Sequence, residues 1–81
     1  MMVHVCLFAR ARDLAAADSV AVELPDGATV RDLRHALGAR HPKLAPLLDR
    51  CALAVDSEFA DDTRPLAAAS EIALLPPVSG G

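Results

Sequence analysis

Aromatic side chains are nearly missing from this chain: it has two Phe, no Tyr and no Trp. Modules that stack nucleic-acid bases need exposed rings, so the scarcity argues against that class. The formal net charge is −3 with no cluster of Lys or Arg, which argues against a phosphate backbone as partner. Cysteine is sparse. Cys6 and Cys51 are too few for a disulfide-built scaffold of this size. The possible metal ligands Cys6, Cys51, His4, His35 and His41 do not stand at the short spacings of zinc sites. No apolar run approaches the roughly 20 residues that span a bilayer. Met1-Met2-Val3-His4 lacks the basic start of a signal peptide, so a cytoplasmic location is expected. The glycines are isolated or terminal, which leaves no phosphate-cradling loop.

What is present is enough apolar matter to fold. Of the 81 residues, 53% are hydrophobic and 23% charged, the balance of a single small domain. A core of that size leaves little room for a deep cofactor pocket. Residues 2–9 alternate, with Val3, Val5 and Leu7 on one face and His4, Cys6 and Phe8 on the other, the mark of a strand. Residues 10–18 are charged and Ala-rich and predict a loop holding about one helical turn. Residues 19–24 alternate again through Val20, Val22 and Leu24. Pro25-Asp26-Gly27 predicts a turn in which Pro sets φ, Asp bonds its own backbone and Gly takes a positive φ.

Thr29 has the character of a helix N-cap, and Asp32 supplies the acidic half of a capping box. Val30, Leu33, Ala36 and Leu37 form one apolar stripe, with Arg31, Arg34 and Arg40 outside it. His41-Pro42 ends the helix. Residues 42–50 predict a short irregular or single-turn segment. Residues 51–55 predict a third strand with Cys51, Leu53 and Val55 facing the core. Asp56-Ser57-Glu58 is a turn, 59–63 a weak strand, and 71–75 the last strand. The order strand, strand, helix, strand, weak strand, strand defines an α+β roll: a mixed sheet of four to five strands with one main helix across one face.

No catalytic constellation stands out. Cys51 reads as a small core residue. Cys6 lies on the His4 and Phe8 face, with only His4 nearby to lower its thiol pKa. Asp61, Asp62 and Glu58 read as a solvated turn. The end of the chain is different. After the last strand, Pro76 and Pro77 stop any ladder because proline has no N–H to donate. Val78, Ser79, Gly80 and Gly81 follow, a slim thread tipped by the Gly81 α-carboxylate. The chain therefore divides into a folded domain, 1–75, and a tail, 76–81. Phe8 and Leu75 both have outward parity. If the first and last strands are neighbours, the two make one apolar patch at the root of the tail.

Three stretches carry a likeness to a known family: Leu7-Phe8-Ala9-Arg10 with Arg12-Asp13-Leu14, Leu24-Pro25-Asp26-Gly27 with Thr29-Val30-Arg31-Asp32-Leu33, and Leu74-Leu75-Pro76-Pro77-Val78-Ser79-Gly80-Gly81. The chain resembles the small, sulfur-carrying subunits of molybdopterin synthase, a ubiquitin-like β-grasp family. The resemblance implies that an E1-like activating enzyme uses ATP to adenylate Gly81, and that a sulfur donor protein converts it to a thiocarboxylate. The tail then delivers sulfur inside the large subunit, turning a cyclic pyranopterin monophosphate into molybdopterin, in a two-plus-two assembly. It further implies that Phe8 and Leu75 are hydrophobic interface positions, that Arg12 is a basic contact, and that the chain binds no cofactor of its own. Leu74 and Leu75 depart from the family, which often has aromatics there. A thiazole-pathway sulfur carrier and a non-reactive β-grasp interaction module are the alternatives; neither involves nucleic acid or a membrane.

Overall fold

The computed structural model describes residues 1–76. The expected tail beyond Pro76 — Pro77, Val78, Ser79, Gly80 and Gly81 — lies outside the described residues. Eight elements follow one another: β1 Met2–Leu7, α1 Ala9–Ala15, β2 Ser19–Glu23, α2 Val30–Arg40, α3 Ala45–Leu48, β3 Ala52–Val55, β4 Glu58–Ala60 and β5 Ile72–Leu75. The strands make one sheet in the order β2-β1-β5-β3-β4. β1 pairs antiparallel with β2 and parallel with β5, and β5 pairs antiparallel with β3. The sheet is therefore mixed, as the sequence predicts.

Period-two alternation turns Val3, Val5, Leu7, Leu53, Val55, Ile72 and Leu74 to one face, where all are buried. Val30, Leu33 and Leu37 of α2 close over them. That helix starts as its sequence requires. The Thr29 side chain accepts from the Asp32 backbone N–H, and the Asp32 carboxylate accepts from the Thr29 N–H at 2.9 Å. The two orphan donors are satisfied reciprocally. Leu44 and Leu48, around the single turn of α3, plug the edge of the core. Cys51 is buried, as expected of a small core residue.

Three local expectations need correction. Residues 10–18 hold a fuller helix than one turn. α1 spans seven residues and closes with Ala16 at φ 55, its N–H donating to Asp13 O while the Ala17 N–H donates to Arg12 O. This is a Schellman ending. The high helix propensity of alanine and the burial of Ala11, with Leu14 and Ala15 packed against the core, sustain it. In the 25–28 turn, Gly27 does take a positive φ of 84, and the Ala28 N–H donates to Pro25 O at 3.1 Å. Pro25, however, stands one place before the position whose φ a proline would set. The Asp26 carboxylate lies 3.8 Å from the Met1 ammonium instead of serving its own backbone. Finally, the weak strand expected at 59–63 is β4, Glu58–Ala60, and residues 61–63 turn instead, held by the Thr63 N–H donating to Asp61 Oδ1 at 3.0 Å.

Candidate functional site

The parallel pairing of β1 with β5 is what builds the site. Cys6 lies opposite Ala73, and Leu7 opposite Leu74. The next residue on each strand is Phe8 on one and Leu75 on the other. The two predicted patch residues are thus brought to the same end of neighbouring strands. Phe8 is 45% exposed and Leu75 is half-buried. Pro76, exposed, follows at once and ends the ladder.

The backbone at Phe8 breaks local rules. Phe8 is the N-cap of α1 yet its side chain makes no cap hydrogen bond, and Ala9 after it has φ 52. A Ser, Thr, Asp or Asn at that cap would add about 1 kcal/mol, and an alanine with positive φ is strained. Local stability is given up here while a large apolar ring is held toward solvent. Such departures cluster where function places its own demands.

The register extends the patch across the sheet. Cys6 lies opposite Ala73, Ala73 opposite Ala54, and Ala54 opposite Phe59. Residues paired in this way share a face. The outer face therefore runs from Phe8 and Cys6, over a floor of half-buried alanines, to Phe59, which is 78% exposed. A shallow groove of about 170 Å³ lies along it, lined by Cys6, Phe8, Ala54 and Ala73 among others. Sequence reading missed Phe59. Its only signal was a large apolar residue beside a turn; its alignment with Cys6, two residues before Phe8, depends on three strand pairings that local pattern does not specify.

Arg12 is exposed, on α1 just beyond Phe8, with its Nε 4.0 Å from Asp18 Oδ1. That contact is too long and too solvated to hold it, so the guanidinium is available to a partner. Cys6 is exposed on the same face as Phe8. The acidic turn is structural: Asp61 accepts from the Thr63 hydroxyl at 2.6 Å and the Thr63 N–H at 3.0 Å. These bonds, the hydroxyl foremost, hold its carboxyl below the usual range. Arg34 Nε meets Asp62 Oδ1 at 3.0 Å, and its Nη1 donates to Leu48 O and to Cys51 O. It ties α2 to α3 and to the start of β3. Burial pushes the Cys51 thiol up, partly offset by the Arg34 guanidinium. Among the described residues, no group of three or more His, Cys, Asp or Glu could hold a metal ion. What the described residues offer is an exposed apolar face, with Pro76 following at its edge.

A sheet of order 2-1-5-3-4 with one long helix across its inner face defines a ubiquitin-like β-grasp protein. The chain belongs to the ThiS family, whose model matches residues 5–81. It is 35% identical to the molybdopterin synthase sulfur carrier subunit of Chlamydomonas reinhardtii, over the full length of both. Among solved structures, SAMP1 from Haloferax volcanii, a small archaeal modifier protein, superposes with a TM-score of 0.86 at 32% identity, covering 100% of each chain. The complex of subunits 1 and 2 of molybdopterin-converting factor from Helicobacter pylori contains a chain matching at a TM-score of 0.71 and 29% identity, again over 100% of each.

Proposed function

We propose that this chain is the sulfur carrier of molybdopterin synthase, inert by itself and acting through Gly81. The observation that carries the proposal is the junction at Leu75 and Pro76. An apolar face centred on Phe8 lies beside the strand that leads into Pro-Pro-Val-Ser-Gly-Gly. The likeness to sulfur carrier subunits over the full chain supports it, and a related chain occurs in a complex with its second subunit.

The chemistry follows from the tail's one reactive group. A carboxylate is a poor electrophile, so an activating enzyme joins it to AMP from ATP, and sulfur from a donor then displaces AMP. The resulting thiocarboxylate enters the large subunit, where its sulfur bonds to a carbon of the pterin precursor as an oxygen substituent leaves, and water then cleaves the Gly81 acyl–sulfur bond to restore the carboxylate. Six extended residues reach roughly 20 Å, and glycines at the tip let it pass a narrow channel. Docking through Phe8, Leu75 and Arg12 makes the transfer effectively intramolecular.

Incubation with activating enzyme, ATP and a sulfur donor should raise the intact mass by about 16 Da, oxygen replaced by sulfur in the activated acyl group. Deleting Gly81 should abolish the gain. Adding one alanine after Gly81 should do the same, whereas a non-reactive interaction module would be indifferent to it. The likeness to an archaeal modifier favours a second reading, in which the same activated Gly81 is passed to an amine. Recovery of the chain in covalent adducts, rather than sulfur in a pterin or thiazole product, would select it.

A further inference from the structure

We infer that the end of the molecule from which the tail leaves carries a second docking surface, a cationic pocket that receives an acidic, apolar-anchored segment of the protein that takes the tail. Its place beside the exit rests on the carrier reading above; the pocket itself does not.

The first observation is how charge is distributed. β5 ends at Leu75, paired with Ala52 at the start of β3. Leu74 pairs with Leu7, and the Leu7 N–H donates to Asp18 O. Residues 8–18, 40–52, 60–62 and 74–76 therefore gather at the exit end, since Ala60 pairs with Leu53 and Asp61 follows opposite Ala52. Arg34 joins them through its bonds to Asp62 and to the Leu48 and Cys51 carbonyls. Together they hold six of the eight Lys and Arg (Arg10, Arg12, Arg34, Arg40, Lys43, Arg50) and five of the eleven Asp and Glu (Asp13, Asp18, Asp49, Asp61, Asp62). That leaves +1 there and −4 on the remainder of a chain whose formal charge is −3. The excess negative charge of this acidic protein thus lies away from the end where β5 finishes.

The second observation is a concavity at that end, where the cations are not matched by carboxylates among its lining residues. A depression of about 300 Å³ lies between the C-terminal end of α1 and the turn after α2. Leu14, Ala15 and Leu44 supply apolar lining, and Arg40, His41 and Lys43 stand beside them. Arg40 and Lys43 are exposed. The pocket therefore suits a ligand with an apolar group and several negative charges around it. A bare phosphate would leave the apolar lining unused. A nucleic acid would meet an overall negative protein, and no Phe lines this pocket for a base to stack on. A protein that engulfs the tail must bring its own surface against this end, where complementary charge would speed and orient the encounter.

The test uses the full chain, labelled with ¹⁵N, titrated with a capped peptide of alternating Glu and Leu. Parallel arms use its Lys-for-Glu counterpart, inorganic phosphate and a single-stranded oligonucleotide. The expected result is saturable shifts confined to residues 14–16 and 40–44 with the acidic peptide only, its affinity dropping about fivefold or more at high salt. Lys43→Glu should weaken binding by about fivefold, whereas Arg31→Glu, an equal change of charge at the far end of α2, should leave it within about twofold. Shifts elsewhere, equal losses in the two variants, tighter binding of the oligonucleotide or phosphate, or no binding by the acidic peptide would each overturn the proposal. A failure of the Gly81 mass gain with the pocket still binding would overturn the carrier reading alone.

Discussion

Replacing Phe59 by alanine separates folding from docking more cleanly than any other single change. A Phe side chain offers roughly 150–250 Å². Phe59 is 78% exposed, so folding hides only about 45 Å², or about 1 kcal/mol at about 25 cal/mol per Å². Docking of a flat partner on the outer face would cover the remaining ~150 Å², whose transfer from water is worth roughly 3–4 kcal/mol. Truncation of a strongly contributing aromatic at an interface costs about 2–4 kcal/mol, in line with that area. Phe59→Ala should therefore lower the unfolding free energy by no more than about 1 kcal/mol. It should weaken affinity for the large subunit by about 30-fold to 1,000-fold. Urea denaturation followed by far-UV circular dichroism reads the first quantity, and titration calorimetry against the large subunit reads the second. Affinity within about threefold of the parent, with the fold intact, would refute the view that the outer sheet face from Phe8 to Phe59 is the docking surface.

Other expectations follow from single contacts. Arg34→Met removes the donor to the Leu48 and Cys51 carbonyls and the partner of Asp62; it should cost about 2–4 kcal/mol in urea denaturation, a large part of a small domain's stability. Under native conditions a thiol reagent should label exposed Cys6 and spare buried Cys51, and mass spectrometry of tryptic fragments would show the reverse if the placement were wrong. Because the Cys51 pKa is raised in the fold from its ordinary 9.0, the native state holds its proton longer than the unfolded chain. Stability should be full below that value and decline as pH rises above it, and Cys51→Ala should flatten the decline. Asp61 shifts the other way: its lowered pKa supports the fold above the ordinary 3.8 and that support is lost as pH falls through the folded value. Thr63→Ala should return the Asp61 titration, followed by carboxyl NMR, toward 3.8.

The helix entry at Thr29 and Asp32, the alternation of Val3, Val5 and Leu7, and the outward parity of Phe8 were all legible in the order of residues. Each depends on neighbours within about four positions: a side-chain oxygen reaching a nearby N–H, or the pleat turning successive side chains to opposite faces. The extent of α1 was underestimated, because an Ala-rich, charged stretch shows its apolar stripe only once Ala11 and Leu14 have a core to meet. The role of Arg34 was hidden for a similar reason. Its acceptors are backbone carbonyls 14 and 17 residues away, and carbonyls have no sequence signature.

By itself, then, the order of residues determined the strands β1, β2, β3 and β5, the entry and apolar stripe of α2, and which way the strand side chains face. Only the tertiary structure decided who stands next to whom. The parallel crossover placing β5 beside β1 sets Phe8 next to Leu75 and Pro76, the register through β3 and β4 puts Phe59 in the row of Cys6 on the same face, and the return of α2 to the exit end brings Arg40 and Lys43 beside α1. Local pattern is governed by bonds and torsions a few residues long, whereas these juxtapositions are selected by burial of the whole apolar face at once, a property of the entire chain.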